Sequence, residues 1–419
     1  MKVYDFTLKS NGLRVVYVEK KDSEVVAMSL IGKCGSVFEN IAGTAHFFEH
    51  LSLDGSQKYP NKKDFLSLVM DSGGSVHAVT SKDFTEYTTK LIGSEIERGL
   101  ELLSQAVFYP IFDEKSINKE KKIIIEEYKR ALTNDQRQLF ETLVGLSYKD
   151  ESMNRMVLGN DKSVELINKD VLKQFWNKYY HPNNFVLSVC GNIDEKKLFK
   201  MIEKYFGDIP KGEYAKNKTF EYNKETNLGI LKRENAIQAR LMLAYASPER
   251  NSDEYYASLL LSSILGKGMF SRLFQTVREE KQLVYDISSW NWTGLNRGLF
   301  YSQCGVDEKN INEVIRIITN EQDTLATKKI ADKEIDIHKK RIKSASLFEI
   351  EDSVQLASHY SQLRITLNEL VTLDDEIKKI DKITSDEIIN IAKKIFSQKP
   401  HIAILAKKIN KDQIITLQK

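Results

Sequence analysis

Gly43-Thr-Ala-His46-Phe-Phe-Glu49-His50-Leu51 is the stretch on which the reading of this chain turns. Read as a helix, it places His46 and His50 four residues apart, on one face and one turn from each other, where two imidazoles can share a metal ion. Glu49 follows His46 by three positions, so its carboxylate leaves from the same side and can reach a water at that metal. Two neutral nitrogen donors beside a carboxylate base form the donor set of hydrolytic zinc chemistry.

Such a site needs a third protein ligand. The helical pattern Asn118-Lys-Glu-Lys-Lys-Ile-Ile-Ile-Glu-Glu-Tyr-Lys-Arg130 offers two adjacent candidates, Glu126 and Glu127. Glu127 has Ile123 and Ile124 one turn before it and Ala131 one turn after, which puts it on the apolar stripe; Glu126 is ringed by Lys122, Lys129 and Arg130. A carboxylate that faces a core is costly unless paired or metal-bound, so Glu127 is the expected ligand. Glu120, seven residues earlier, shares that face. It can orient a histidine or the water from behind, or simply pair with Lys121 or Lys122.

The bulk composition is that of an ordinary globular protein. The chain has 419 residues, room for more than one domain, and a net charge of only +3. Neither a nucleic-acid-binding stripe nor a polyanion partner is implied. Cys34, Cys190 and Cys304 are widely spaced and form no Cys-x-x-Cys pair, which argues against a disulfide framework or a zinc ribbon and suits a reducing compartment. The first ten residues lack the pattern of a secretory signal, and no apolar run approaches a membrane span. A cytoplasmic chain with no membrane partner is the expectation.

The order of elements repeats. A hairpin signal at Asn11-Gly12 opens the chain, and strands are expected at Ser75–Thr80, Phe84–Leu91 and Phe185–Cys190, with helices at Thr44–Leu53, Lys62–Met70, Glu95–Phe108, Asp113–Leu132 and Lys173–Tyr180. The second half follows suit, with strands at Ala239–Tyr245, Leu299–Val306 and Ile402–Leu405 and helices at Asp253–Leu265, Ile311–Leu325, Ala331–Ser346 and Ser385–Phe396. Two halves of like order suggest an internal duplication of an α+β unit. The polar stretch Lys211–Asn227 is the linker candidate. It gives a catalytic half at 1–212, a linker at 213–227 and a second half at 228–419.

Taken with Asp54-Gly-Ser-Gln-Lys-Tyr-Pro60, the His46–His50 stretch resembles the inverted-motif zinc peptidases, the family of pitrilysin, insulysin and the mitochondrial processing peptidase. The spacing from His50 to Glu127 fits that signature. So do Gly73-Gly-Ser-Val-His-Ala-Val-Thr-Ser81, Tyr180–Asn192 and Gly266-Lys-Gly-Met-Phe-Ser-Arg-Leu273, which continues to Arg278 and Tyr285. The chain length fits the processing-peptidase-like branch. The resemblance implies two homologous α/β sandwich halves that close as a clamshell when two subunits meet, and one Zn2+ per chain held by His46, His50 and Glu127. It implies a zinc endopeptidase in which Glu49 is the base, while Arg278 and Tyr285 bind substrate or help stabilise the tetrahedral intermediate. The strand from Gly74 through Ser75, Val76, His77, Ala78, Val79 and Thr80 would hold an extended peptide. It further implies a homodimer, or a heterodimer with a homologous subunit. The alternative within the family is a noncatalytic peptide-binding or scaffold subunit; a metal-dependent nuclease or deaminase lacks the further acidic or cysteine ligands it would need. His77, where the family usually has Asn, is expected to line the site. Leu53 and Asp54 replace an aromatic and a basic residue common in the family.

Overall fold

A computed structural model describes residues 1–409 and 411–414. The first half of the chain runs β1 (Lys2–Thr7), β2 (Arg14–Glu19), β3 (Val25–Gly32), α1 (Thr44–Ser52), α2 (Lys62–Met70), β4 (Ser75–Thr80) and β5 (Thr85–Ile92). It continues with α3 (Ile96–Phe108), α4 (Glu114–Ala131), α5 (Asp135–Ser147), α6 (Glu151–Asn154), α7 (Asp161–Leu166), α8 (Lys169–Tyr179), β6 (Phe185–Gly191) and α9 (Glu195–Phe206). The second half runs β7 (Leu228–Lys232), β8 (Ala239–Ala246), α10 (Tyr255–Gly266), a wide π-type turn of helix at Phe274–Glu280, β9 (Val284–Gly294) and β10 (Arg297–Val306). It ends with α11 (Ile311–Thr327), α12 (Asp332–Glu349), α13 (Ser353–Leu367), α14 (Leu373–Lys382), α15 (Ser385–Phe396) and β11 (His401–Ala406).

Each half contributes one mixed sheet, ordered β1-β2-β6-β3-β5-β4 and β7-β11-β8-β10-β9. The Asn11-Gly12 turn joins β1 to β2 as an antiparallel hairpin, with Gly12 at φ +80°. The returning strand β6 then enters between β2 and β3, parallel to the first and antiparallel to the second. In the second sheet β11 does the same, parallel to β7 and antiparallel to β8. The repeat of element order is thus a repeat of topology as well, in an α+β arrangement of sheets covered by helices. The central strands read as continuous apolar runs because both their faces are covered: β6 and β11 are buried along their whole length.

The compact units differ from a cut at 212 and 228. One comprises Met1–Arg130, Met156–Lys216 and Leu347–Thr372; the other comprises Ala131–Arg155, Asn217–Ser346 and Leu373–Lys419. The cause is a pair of helices that leave their own half of the sequence. Helix α5 packs on β8, β11 and β7, and α13 packs on β3, β6, β5 and β2. Asp135 at the start of α5 receives Arg233 Nε at 2.9 Å, and the Tyr148 hydroxyl beyond its end donates to Gly298 O at 3.0 Å. Asp352 caps α13, accepting from Val354 N at 2.8 Å and Gln355 N at 3.1 Å while pairing with Lys90 at 2.8 Å. Further along, the Ser29 and Ser361 hydroxyls meet at 2.7 Å, and Arg364 Nε donates to Asp5 at 3.0 Å.

Candidate metal centre

Helix α1 is rigidly seated before any metal is considered. Ala45, Phe47, Phe48 and Leu51 are all essentially inaccessible to solvent, and burying an aromatic or leucine side chain is worth roughly 1.5–3 kcal/mol each. Its N-terminus begins at Gly43, with φ +92°; a Cβ there would stand 2.8 Å from Leu158 O, so both conformation and space call for glycine. The Glu39 carboxylate accepts from Gly43 N at 2.7 Å and Ala45 N at 2.8 Å, closing the helix N-terminus with a charge of the favourable sign. Glu39 was not singled out in the sequence; an acidic residue just ahead of a helix start was the available signal.

With the apolar side of α1 committed to the core, His46 and His50 point the other way, their ring centroids 4.7 Å apart. Helix α4 brings Glu127 to them, its Oε2 3.6 Å from His46 Nε2 and 3.5 Å from His50 Nε2. Donor atoms of the three residues all lie within 4.8 Å of one another, and among the described residues they form the one such group of three. Tetrahedral bonds of about 2.0–2.1 Å would separate neighbouring donors by roughly 3.3 Å, so the set fits a small ion with little adjustment. Glu126 turns away and pairs with Lys129 at 2.6 Å. The environment of Glu127 is less apolar than its neighbours suggested: Ile124 is fully buried, but Ile123 is 39% exposed.

Glu120, one of the most deeply buried carboxylates of the chain, meets His50 Nδ1 at 2.9 Å. That contact favours the proton on Nδ1 and leaves Nε2 as the donor facing Glu127. Its ion-pair partner is Lys119, not Lys121 or Lys122. Burial opposes a charge on His50, but the bond to Glu120 and the charge of Glu127 outweigh it and raise its pKa. For Glu120 burial acts upward, and the His50 and Lys119 contacts bring its pKa below the ordinary carboxylate value.

Glu49 is buried beside this set and accepts from Thr80 Oγ1 at 2.5 Å. Burial is the main influence and raises its pKa, the direction that suits a group required to take up and then release a proton. Thr80 ends β4, the outermost strand of its sheet. The antiparallel register with β5 separates the side chains of β4 into two faces. Val76, Ala78 and Thr80 lie opposite Thr89, Tyr87 and Thr85, on the α1 side. Ser75, His77 and Val79 lie opposite Lys90, Thr88 and Glu86, and Lys90 and Glu86 reach α13. His77 is therefore exposed on the face opposite Glu49 and does not line the metal centre; the strand's period of two decides this.

Arg278 and Tyr285 come together within the second unit. The guanidinium lies 5.0 Å from the Tyr285 ring and 4.6 Å from the Phe274 ring. Tyr285 is 77% exposed, at the start of β9, the outer strand of that sheet. Cys34, Cys190 and Cys304 are free and buried. Among the described residues no helix is long and apolar enough to cross a membrane.

Known proteases resemble the chain in sequence and fold. Residues 14–161 match the model described as insulinase (peptidase family M16), and residues 166–342 match the peptidase M16 inactive domain. An uncharacterised zinc protease of Bacillus subtilis is 28% identical over 402 residues, covering 94% of this chain and 96% of the relative. The mitochondrial-processing peptidase subunit beta of Saccharomyces cerevisiae is 24% identical over 418 residues, covering 93% and 88% respectively. A crystal structure of a protease from Helicobacter pylori superposes with a TM-score of 0.88 at 22% identity, covering 97% of this chain and 99% of that one.

Proposed function

Because the chain belongs to peptidase family M16, we propose that it is a zinc-dependent endopeptidase acting on peptides or unfolded segments. One observation carries the reading: a buried carboxylate, Glu49, stands between a convergent His46–His50–Glu127 set and the outer strand β4, to which Thr80 ties it. One Zn2+ per chain, held by His46, His50 and Glu127, would supply the Lewis acidity that makes a water acidic near neutral pH and polarises a peptide carbonyl.

The chain's own groups do the rest. The backbone of β4 from Gly74 to Thr80 pairs with an extended peptide, so affinity comes from main-chain hydrogen bonds with limited sequence preference. Glu49 takes the proton of the attacking water and returns it to the departing amine. Glu120 keeps His50 in the tautomer that ligation requires. Arg278 and Tyr285 donate to the substrate carbonyl, where negative charge develops, and they do so from the second unit of a partner copy in a homodimer. Three reduced, buried thiols suit a cytoplasmic setting.

The test is metal analysis and digestion of unstructured peptides with the wild type and Glu49→Gln. About one zinc per chain and cleavage abolished by chelator are expected. The substitution should keep the metal and slow turnover by a factor on the order of 10²–10⁴. Cleavage at the wild-type rate by Glu49→Gln would remove the assigned base, and zinc binding without any cleavage by the wild type would leave a peptide-binding subunit.

A further inference from the structure

Asp54 stands where the family commonly has a basic residue, and it is the far end of a chain of opposite charges leading to the metal ligands. It follows α1 directly and is 7% exposed. Its Oδ1 lies 3.0 Å from Lys119 Nζ and 3.1 Å from Lys62 Nζ. The same Lys119 ammonium is 3.2 Å from Glu120 Oε1, while Glu120 Oε2 meets His50 Nδ1 at 2.9 Å. Charges thus alternate from Asp54 through Lys119 to Glu120 and end on a ligand imidazole.

We propose that Asp54 and Lys119 are positioning residues for metal binding. A carboxylate held by one oxygen can still rotate about its terminal bond; one with each oxygen facing a different cationic or N–H partner has a single orientation. Lys119 supplies the second partner, so Glu120 presents Oε2 to His50 and the imidazole keeps Nε2 toward Glu127. The lysine side chain is half exposed, and a solvated lysine alone holds no fixed geometry. Asp54 changes that: Asp54 and Glu120, two buried carboxylates, draw the ammonium between them. Lys62, the first residue of α2, also shares the load on Asp54 and ties the start of that helix to the end of α1.

This inference rests on the zinc-peptidase reading, and its test is arranged so that the two fail separately. Zinc affinity is measured by competition with a chromophoric chelator, without reference to turnover, for the wild type, Lys119→Met, Asp54→Asn and Lys119→Arg. The first two variants should bind zinc about 10-fold more weakly, with Lys119→Arg restoring affinity, all measured at a temperature where each metal-free form is folded. Lys121→Met, on the same helix but facing Glu165, should change nothing. Wild-type zinc affinity in both Lys119→Met and Asp54→Asn would overturn the positioning role and leave the metal site standing. A wild-type chain that binds no zinc would overturn the functional reading and this inference with it.

Discussion

Glu126 and Glu127 are neighbours in sequence with separate fates. One pairs with Lys129 at 2.6 Å in solvent, and the other stands 3.5–3.6 Å from two imidazole nitrogens. Glu127→Gln should therefore strip zinc from the protein on dialysis, whereas Glu126→Gln should retain it, as read by metal analysis. The distinction was legible because helical neighbours differ, although Ile123 misled by one side of the stripe. The partnership of Asp54 with Lys119 was not legible, since nothing local ties residues 65 positions apart. His77 was misplaced for a different reason: a motif shows which residues lie on a strand, and only the register shows which face each one takes. A buried histidine that is not one of the candidate metal ligands gives a pH test. His401 has Nδ1 facing Asn227 N at 3.3 Å and Nε2 at 2.9 Å from Asn223 O, so it is neutral in the fold with Nε2 protonated. Burial lowers its pKa. The unfolded chain then binds the extra proton first, so stability falls as pH drops below about 6.5. Urea titrations at pH 7.5 and 5.5 should show a smaller acid-side loss for His401→Gln than for wild type; equal losses would assign the effect elsewhere, for instance to His338, whose pKa burial also lowers.

Strands β2 to β6 and helices α1, α3 and α4 have counterparts in the second half, and the likeness extends to a side-chain contact. Helix α10 takes the place of α1 and α12 that of α4. The Ser263–His338 contact of 2.9 Å is the counterpart of the His50–Glu120 contact of 2.9 Å. The second unit thus keeps the helix pair and a hydrogen bond across it, with no set of three metal donors there among the described residues. Most long elements were visible in the sequence because their apolar faces recur at helical or strand period. The two exchanged helices were not. Helix α13 buries Leu356, Ala357, Tyr360, Ser361, Leu363 and Ile365, a set mixed with serines and spread too widely around the axis to form a stripe. In α5 only Leu139, Leu143, Val144 and Ser147 are buried, too few to stand out beside the stronger pattern of α4. Loss of a side-chain N-cap typically costs about 1 kcal/mol, and Asp352 adds the pair with Lys90 to its cap. Asp352→Ala should lower unfolding free energy by about that amount in denaturant titrations, with zinc content unchanged because the metal lies on the other side of the sheet.

At the scale of the whole molecule, the polar linker divides strands but not compact units. A fragment ending at residue 216 would carry α5 and lack α13, so the face of its sheet formed by β2, β6, β3 and β5 would be bare. The fragment from 217 onward would carry α13 and lack α5. Neither fragment should be stable as a monomer, and refolding the two together should restore one zinc-binding complex, a result read by gel filtration and metal analysis. Helices α5 and α13 occupy equivalent places on equivalent sheets. Each is therefore a donated arm, and the topology is that of a domain-swapped pair joined end to end in a single chain. Two copies of the 1–216 fragment should consequently be able to trade α5 and close as a dimer, which analytical ultracentrifugation would detect and deletion of residues 135–147 would abolish.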